Sequence, residues 1–308
     1  MKRSGETTCL EPRFLEKKAR IGLFSPAGPH KPREAAEALE KLRGLGARFH
    51  PLPARGKGPL KYLAGPDRLR LEDVEANAGL SGPGALMATR GGYGSMRLLE
   101  ALDRGPRKFS EAAIVGSSDV TALHLFRLAK ENIGGWHSPN LVHYAKTGAD
   151  LNSFRGLFGG KKREWVFSGS DVLAFEKVEG RLLGGNLTVF SHLCGTRFCP
   201  DARDSILLLE DVNERPYAID RYLTSLILRG VFRRAAAVVF GEFVGCGKKD
   251  ELDRVLGDFS ERVGIPVLKN APFGHGLLSE PWFYGEKGTL RKDGDAFKLS
   301  FSGGRTTR

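Results

Sequence analysis

Ala112-Ala113-Ile114-Val115 is an apolar run that passes through Gly116-Ser117-Ser118-Asp119 straight into the amphipathic stretch Val120 to Asn132. A strand that turns sharply into a helix with serine at the corner lifts the hydroxyl above the sheet, as a nucleophile elbow does. The helix N-terminus beneath it favours developing negative charge. The Gly-x-Ser-x-Gly form is incomplete, because Val120 follows Asp119 where a second glycine would stand. The same residues also suit a plain helix start, with Ser117 or Ser118 as cap and Asp119 satisfying early amides. A serine nucleophile needs a base, and the base needs an orienting acid. Among the seven histidines, His275 lies between Gly274 and Gly276. Flanking glycines let the backbone carry an imidazole into a cleft without steric cost. His124 falls on the apolar side of the helix that follows the serines and reads as a packed core residue. For the acid, the apolar run Ser205 to Leu209 ends in Glu210 and Asp211. Carboxylates at the end of a buried strand are costly unless partnered, which points to a site or a salt bridge.

Two glycine-rich segments complete the candidate chemistry. Arg90-Gly91-Gly92-Tyr93-Gly94 follows an apolar run and precedes a helical one. Such a loop presents backbone N–H groups to a phosphate or an oxyanion, or is simply a strand-to-helix turn. It is neither Gly-x-Gly-x-x-Gly nor a Walker A loop. Gly184-Gly185-Asn186-Leu187 likewise permits close backbone approach.

The elements that must position these residues alternate in the first half. Strands are expected at 19–24, 46–50, 84–89 and 112–115, and helices at 33–44, 67–77, 95–103 and 119–132. In the first of these helices apolar residues recur at positions 35, 36, 39 and 42. Alternation of this kind implies an α/β fold with a parallel sheet covered on both faces. Ligands on such sheets lie beyond the carboxyl ends of the strands, where the loops after Phe24, Thr89 and Val115 begin. The stretch 146–175 reads as a linker between an N-terminal domain, 1–145, and a C-terminal domain, 176–308. The second half reads as mixed α/β rather than another regular βαβ stack, with apolar segments at 181–194, 205–209 and 235–240. Helices are expected at 219–230 and 251–262, and a final hairpin around Asp293-Gly294.

Composition narrows the class. The chain has 308 residues, enough for two cores, and 40 glycines. Its apolar runs exclude a disordered polyelectrolyte, and it shows no collagen or coiled-coil repeat. No apolar stretch approaches a membrane span, and the charged start, Met1 to Arg20, does not read as a secretory signal. Four cysteines form neither a disulfide framework nor a Cys-x-x-Cys metal pair, so a reducing cytoplasm is the expected compartment. Lys and Arg number 48 against 36 Asp and Glu, a net charge of +12. The basic residues are scattered, with small clusters at 16–20 and 161–163. A basic surface that attracts an acidic small substrate is expected, with no nucleic-acid and no membrane partner.

Read in order, Ser25-Pro26-Ala27, Thr89 to Gly94, Gly116 to Leu123, Gly184 to Leu187, Leu209 to Arg221 and Gly274-His275 resemble the LD-carboxypeptidase family of serine peptidases. That family also contains the microcin C immunity proteins. The resemblance spans about residues 20 to 290. It implies an N-terminal flavodoxin-like domain joined to a distinct C-terminal mixed α/β domain, with the active site at their interface. It implies Ser118 as nucleophile, with Ser117 in a variable slot, Glu210 as the acid and His275 as the base. The backbone N–H groups of Gly92 and Asp119 would form the oxyanion hole, and Arg90 is the first candidate for binding the substrate's terminal carboxylate. The implied activity is release of the C-terminal D-alanine from peptidoglycan tetrapeptides in murein recycling, by a cytoplasmic homodimer, with a muropeptide as substrate and no metal or cofactor. The alternatives are a microcin C-type hydrolase of acyl-amino-acid nucleotides, a non-catalytic muropeptide-binding protein, and a generic esterase.

Overall fold

The computed structural model describes residues 20–50, 52, 58, 60–78, 85–105, 112–157, 163–167, 175–277 and 279–302. The charged start up to residue 19 and the glycine-lysine run 159–162 lie outside the described residues. The first half forms β1 (Arg20–Phe24), α1 (Pro32–Arg43), β2 (Arg48–Phe49), α2 (Asp67–Ala78), β3 (Ala85–Ala88), α3 (Leu99–Arg104), β4 (Ala113–Gly116), α4 (Thr121–Lys130) and β5 (Trp136–His137). Single 3-10 turns, Ser95–Leu98 and Ser118–Val120, lead into α3 and α4. Strands β2, β1, β3, β4 and β5 pair in that order, all parallel. This is the flavodoxin-like order, whose switch point lies between β1 and β3.

These strands are apolar on both faces because both faces are covered. Leu23, Met87 and Val115 point into one cluster with Leu39 and Leu42 of α1. Phe24, Leu86 and Ile114, on the opposite side of the pleat, join a second cluster that continues into the other half of the chain. The two halves therefore share one core.

The stretch expected as a linker carries α5 (Leu151–Gly156) and β6 (Arg163–Phe167). After it come β7 (Lys177–Asn186), α6 (Leu187–Leu193), β8 (Ser205–Val212), α7 (Pro216–Leu228), β9 (Ala237–Val244), α8 (Lys249–Val263) and β10 (Val267–Leu268). The chain ends with β11 (Trp282–Phe283), β12 (Lys287–Asp293) and β13 (Ala296–Phe301). The second sheet has the order β10-β9-β8-β7-β12-β13-β6. Its first four strands are parallel, with α6, α7 and α8 as crossovers, and the remaining pairings are antiparallel. The second half was expected to be mixed α/β rather than another regular βαβ stack; its parallel part corrects this, since β7 to β10 form such a stack. Hairpin β12–β13 turns at Gly294, whose φ is +61°.

Strand β11 leaves the second sheet's half of the chain and pairs antiparallel with β5 of the first, Trp282 opposite His137. The segment between β10 and β11 therefore crosses from one sheet to the other, and it carries His275.

Candidate active site

Ser118 is the corner residue between β4 and α4, and its φ is +62°. A serine gains nothing intrinsic from the left-handed region, so the surrounding structure holds it there. Ser117 takes the N-cap position in an extended conformation, φ −135°, and its side chain makes no capping bond. Asp119 does not serve its own helix either. Its Oδ2 accepts from the amide of Ser95 at 2.7 Å, tying the elbow to the loop after β3. Burial pushes the Asp119 carboxyl above its ordinary range, against hydrogen bonds from Ser95 and Gly94. The plain capping role is absent, and the sharp elbow is present.

The loop after β3 closes over this corner. A methyl group on Gly91 would lie 2.7 Å from Ser118 Cβ and 2.9 Å from its Oγ. Gly91 O accepts from Gly28 N at 2.9 Å, and Ser25 Oγ meets Thr89 Oγ1 at 2.6 Å, so the loops after β1 and β3 are joined. Beneath them sits Arg70 of α2, fully buried. Its Nη1 donates to Gly94 O at 2.9 Å and to Pro26 O, and its Nη2 to Asp67 Oδ1 at 2.5 Å. Arg90 is exposed, with Nη1 donating to Pro29 O at 2.8 Å.

Glu210 and His275 meet at the end of β8. Glu210 is completely buried, and its Oε2 lies 2.5 Å from His275 Nδ1. Burial opposes charging of the His275 ring. The Glu210 charge, its hydrogen bond and the charge of Asp211 outweigh that and hold the ring's pKa above the ordinary 6.5. His275 Nε2 is buried and bonded to no protein group, so it does not hydrogen-bond Ser118 Oγ in this structure. That leaves one ring nitrogen oriented by a carboxylate and the other available to exchange a proton.

The two carboxylates of the strand end have different tasks. Asp211 accepts from Asn186 Nδ2 at 2.8 Å and from Thr188 N at 2.9 Å, which fixes the start of α6. Glu210 alone reaches the histidine. Opposite Glu210 the β8–β9 register shifts between Leu209 and Asp211, with Gly241 and Glu242 bulging from β9. Bulges re-aim side chains at sites. Glu242 Oε2 accepts from Gly276 N at 2.8 Å and so holds the His275 loop. Burial, then the Glu210 charge, push the Glu242 carboxyl upward.

The halves are pinned beside the elbow. Thr121 Oγ1, one turn beyond Ser118, accepts from Asn186 N at 3.1 Å, and Tyr284 OH donates to Gly184 O at 3.2 Å. Gly185 has no room for a side chain between Thr121 and Tyr284. The rings of His124 and Tyr284 stack at 4.4 Å. Burial lowers the pKa of His124 to about 3, and its Nε2 bonds Gly116 O at 3.0 Å, so it is the core histidine expected.

Three residues of this region carry no signal in the sequence reading. Asn140 brackets the elbow, with Oδ1 accepting from Ser117 N and Nδ2 donating to Ser117 O, both at 3.3 Å. Arg70 and Glu242 are the others. Gly241 separates Glu242 from the apolar run 235–240, so Glu242 lacks the abrupt strand-end sign that marks Glu210. Among the described residues no group of three His, Cys, Asp or Glu could hold a metal ion. No helix among them is long and apolar enough to cross a membrane.

Comparison with known proteins places both halves. Residues 21–138 match the LD-carboxypeptidase N-terminal domain and residues 179–290 the LD-carboxypeptidase C-terminal domain. The murein tetrapeptide carboxypeptidase of Pseudomonas aeruginosa is 30% identical over 291 residues, 88% of this chain and 92% of that protein. The crystal structure of muramoyltetrapeptide carboxypeptidase from Oxalobacter formigenes is similar with a TM-score of 0.78 at 25% identity, covering 92% of this chain and 99% of that one. The microcin C7 self immunity protein MccF in its wild-type apo state gives 0.80 at 22% identity, over 96% and 98% of the two chains, a likeness of fold. With both domains matched in order and a relative aligned over nearly its whole length, the chain belongs to the LD-carboxypeptidase family and is a carboxypeptidase.

Proposed function

We propose that this carboxypeptidase is serine-type and releases the C-terminal D-alanine from peptidoglycan tetrapeptides, with Ser118 as nucleophile, His275 as base and Glu210 as the acid that orients it. The observation that carries the reading is the 2.5 Å bond between buried Glu210 and His275 Nδ1, with Asn186, the strand neighbour of Glu210, bonded to Thr121 just past the Ser118 corner. His275 Nε2 takes the Ser118 Oγ proton as Oγ attacks the scissile carbonyl. The resulting oxyanion is held by the backbone N–H groups of Gly92 and Asp119, and one such donor is worth about 3 kcal/mol. The tetrahedral species collapses as His275 gives its proton to the amine of D-alanine, leaving an acyl ester on Ser118. Water, deprotonated by His275, then breaks the ester and restores the serine.

Arg90 keeps guanidinium donors beyond the one held by Pro29 O, and we assign it the terminal carboxylate of the peptide. The murein tetrapeptide relative supports the tetrapeptide over a nucleotide conjugate, because MccF is alike in fold alone. We also assign the protein to the cytoplasm as a homodimer. The test offers purified protein a muramoyl tetrapeptide and an acyl-amino-acid nucleotide side by side, read by mass spectrometry. Release of D-alanine supports the proposal; turnover of the nucleotide conjugate alone overturns it in favour of the immunity-type reaction.

A further inference from the structure

Cys194 and Cys199 lie away from the elbow, at the far end of α6. Cys194 caps that helix, and Thr196 N to Leu193 O at 2.9 Å and Cys199 N to Thr196 O at 3.3 Å fold the chain back on itself in two tight turns. This return sets the Cys199 thiol beside that of Cys194. Both cysteines line a cavity of about 250 Å³ together with Arg229 and Asp201. Arg229 Nη1 donates to Ser191 O at 2.6 Å and to Cys194 O at 2.9 Å, which fixes a positive charge beside Cys194. Asp201 acts against that charge, but it is bonded to Arg234 at 2.5 Å.

We propose that Cys194 and Cys199 are a redox-active dithiol, a modification site that takes a small external disulfide of the glutathione class and closes to an intramolecular disulfide. Cys194 is the attacking sulfur. The neighbouring Cys199 thiol, with the charge of Arg229, pulls the Cys194 thiol below the ordinary range, while the proximity of Cys194 and burial raise Cys199. Cys194 thiolate attacks one sulfur of the reagent, forming a mixed disulfide and expelling one thiolate. Cys199 then attacks the Cys194 sulfur and expels the second. Two electrons pass from the protein dithiol to the reagent, and the two thiol protons go to the departing thiolates. Cys246 takes no part, since it is buried with Sγ directed to Val244 O at 3.6 Å.

The experiment equilibrates the full chain with oxidised glutathione, blocks free thiols with an alkylating agent and maps the peptides by mass. The expected result is a bridged, unalkylated 194–199 peptide lighter by two hydrogen atoms and restored by a dithiol reductant. Cys199→Ser should instead stop with glutathione attached to Cys194. Full alkylation of both cysteines in the wild type, or a wild-type adduct on Cys194 that never closes, would overturn the proposal. The wild-type map decides the matter by itself if a variant fails to fold.

Discussion

Gly91 approaches Ser118 so closely that a single added methyl group would stand 2.7 Å from the serine Cβ. The atom in the way belongs to the base of a short side chain, so it has no flexible end to swing aside. Gly91→Ala must therefore move either the loop or Ser118. A misplacement of about 1 Å costs on the order of 10²-fold in rate. We expect Gly91→Ala to fold, to bind peptide and to lose about that much in kcat, as steady-state kinetics would show.

The backbone at Ser118 carries a separable cost. With φ at +62°, a residue with Cβ is disfavoured by about 1 kcal/mol relative to glycine. Ser118→Ala and Ser118→Gly should both be inactive, yet the glycine variant should be the more stable by roughly that amount. Urea midpoints of the two variants check this.

Glu210 sets the pH dependence. As the proposed base, His275 must be neutral to act, and its pKa is held above 6.5, so the acid limb of kcat/KM is expected above that value. Glu210→Gln keeps the shape and removes the charge. The limb should shift to lower pH, while kcat falls by about 10⁴ through loss of the correct tautomer. Stability follows the same sign. A raised folded pKa makes the pair stabilising below the ordinary histidine value, and this is lost as pH rises through the folded pKa. The Tm gap between wild type and Glu210→Gln should thus be wider in acid than in alkali.

Arg70 joins the loops that carry Pro26 and Gly94 from below. Arg70→Met would leave both carbonyls without a donor, whereas Asp67 retains Arg97 at 2.8 Å. We expect a loss of about 3 kcal/mol in thermal or urea unfolding, together with reduced turnover. Arg70→Lys should fall between, because an ammonium cannot span the same partners.

The first half was legible because its central strands are apolar on both faces and α1 and α4 carry a strong apolar stripe, so β1, β3, β4, α1 and α4 fall where periodicity places them. The two partners of the Glu210–His275 bond were visible for a related reason: Glu210 breaks an apolar run, and His275 sits between glycines. Strands β5 and β11 were not legible. Each has two residues, and it is the pairing of Trp282 with His137 across the chain that makes them strands. Strand β6, in the stretch read as linker, exists by pairing with β13 more than a hundred residues later. Asn140, Arg70 and Glu242 escaped because their roles are contacts with backbone groups remote in sequence, which no local pattern records.

In the proposed mechanism Ser118 becomes acylated. Rapid acid quenching of enzyme with a muramoyl tetrapeptide, followed by peptide mass mapping, tests it most directly. The peptide acyl group, without D-alanine, is expected as an ester on Ser118, with no adduct in Ser118→Ala. D-alanine released at the wild-type rate by Ser118→Ala would contradict it.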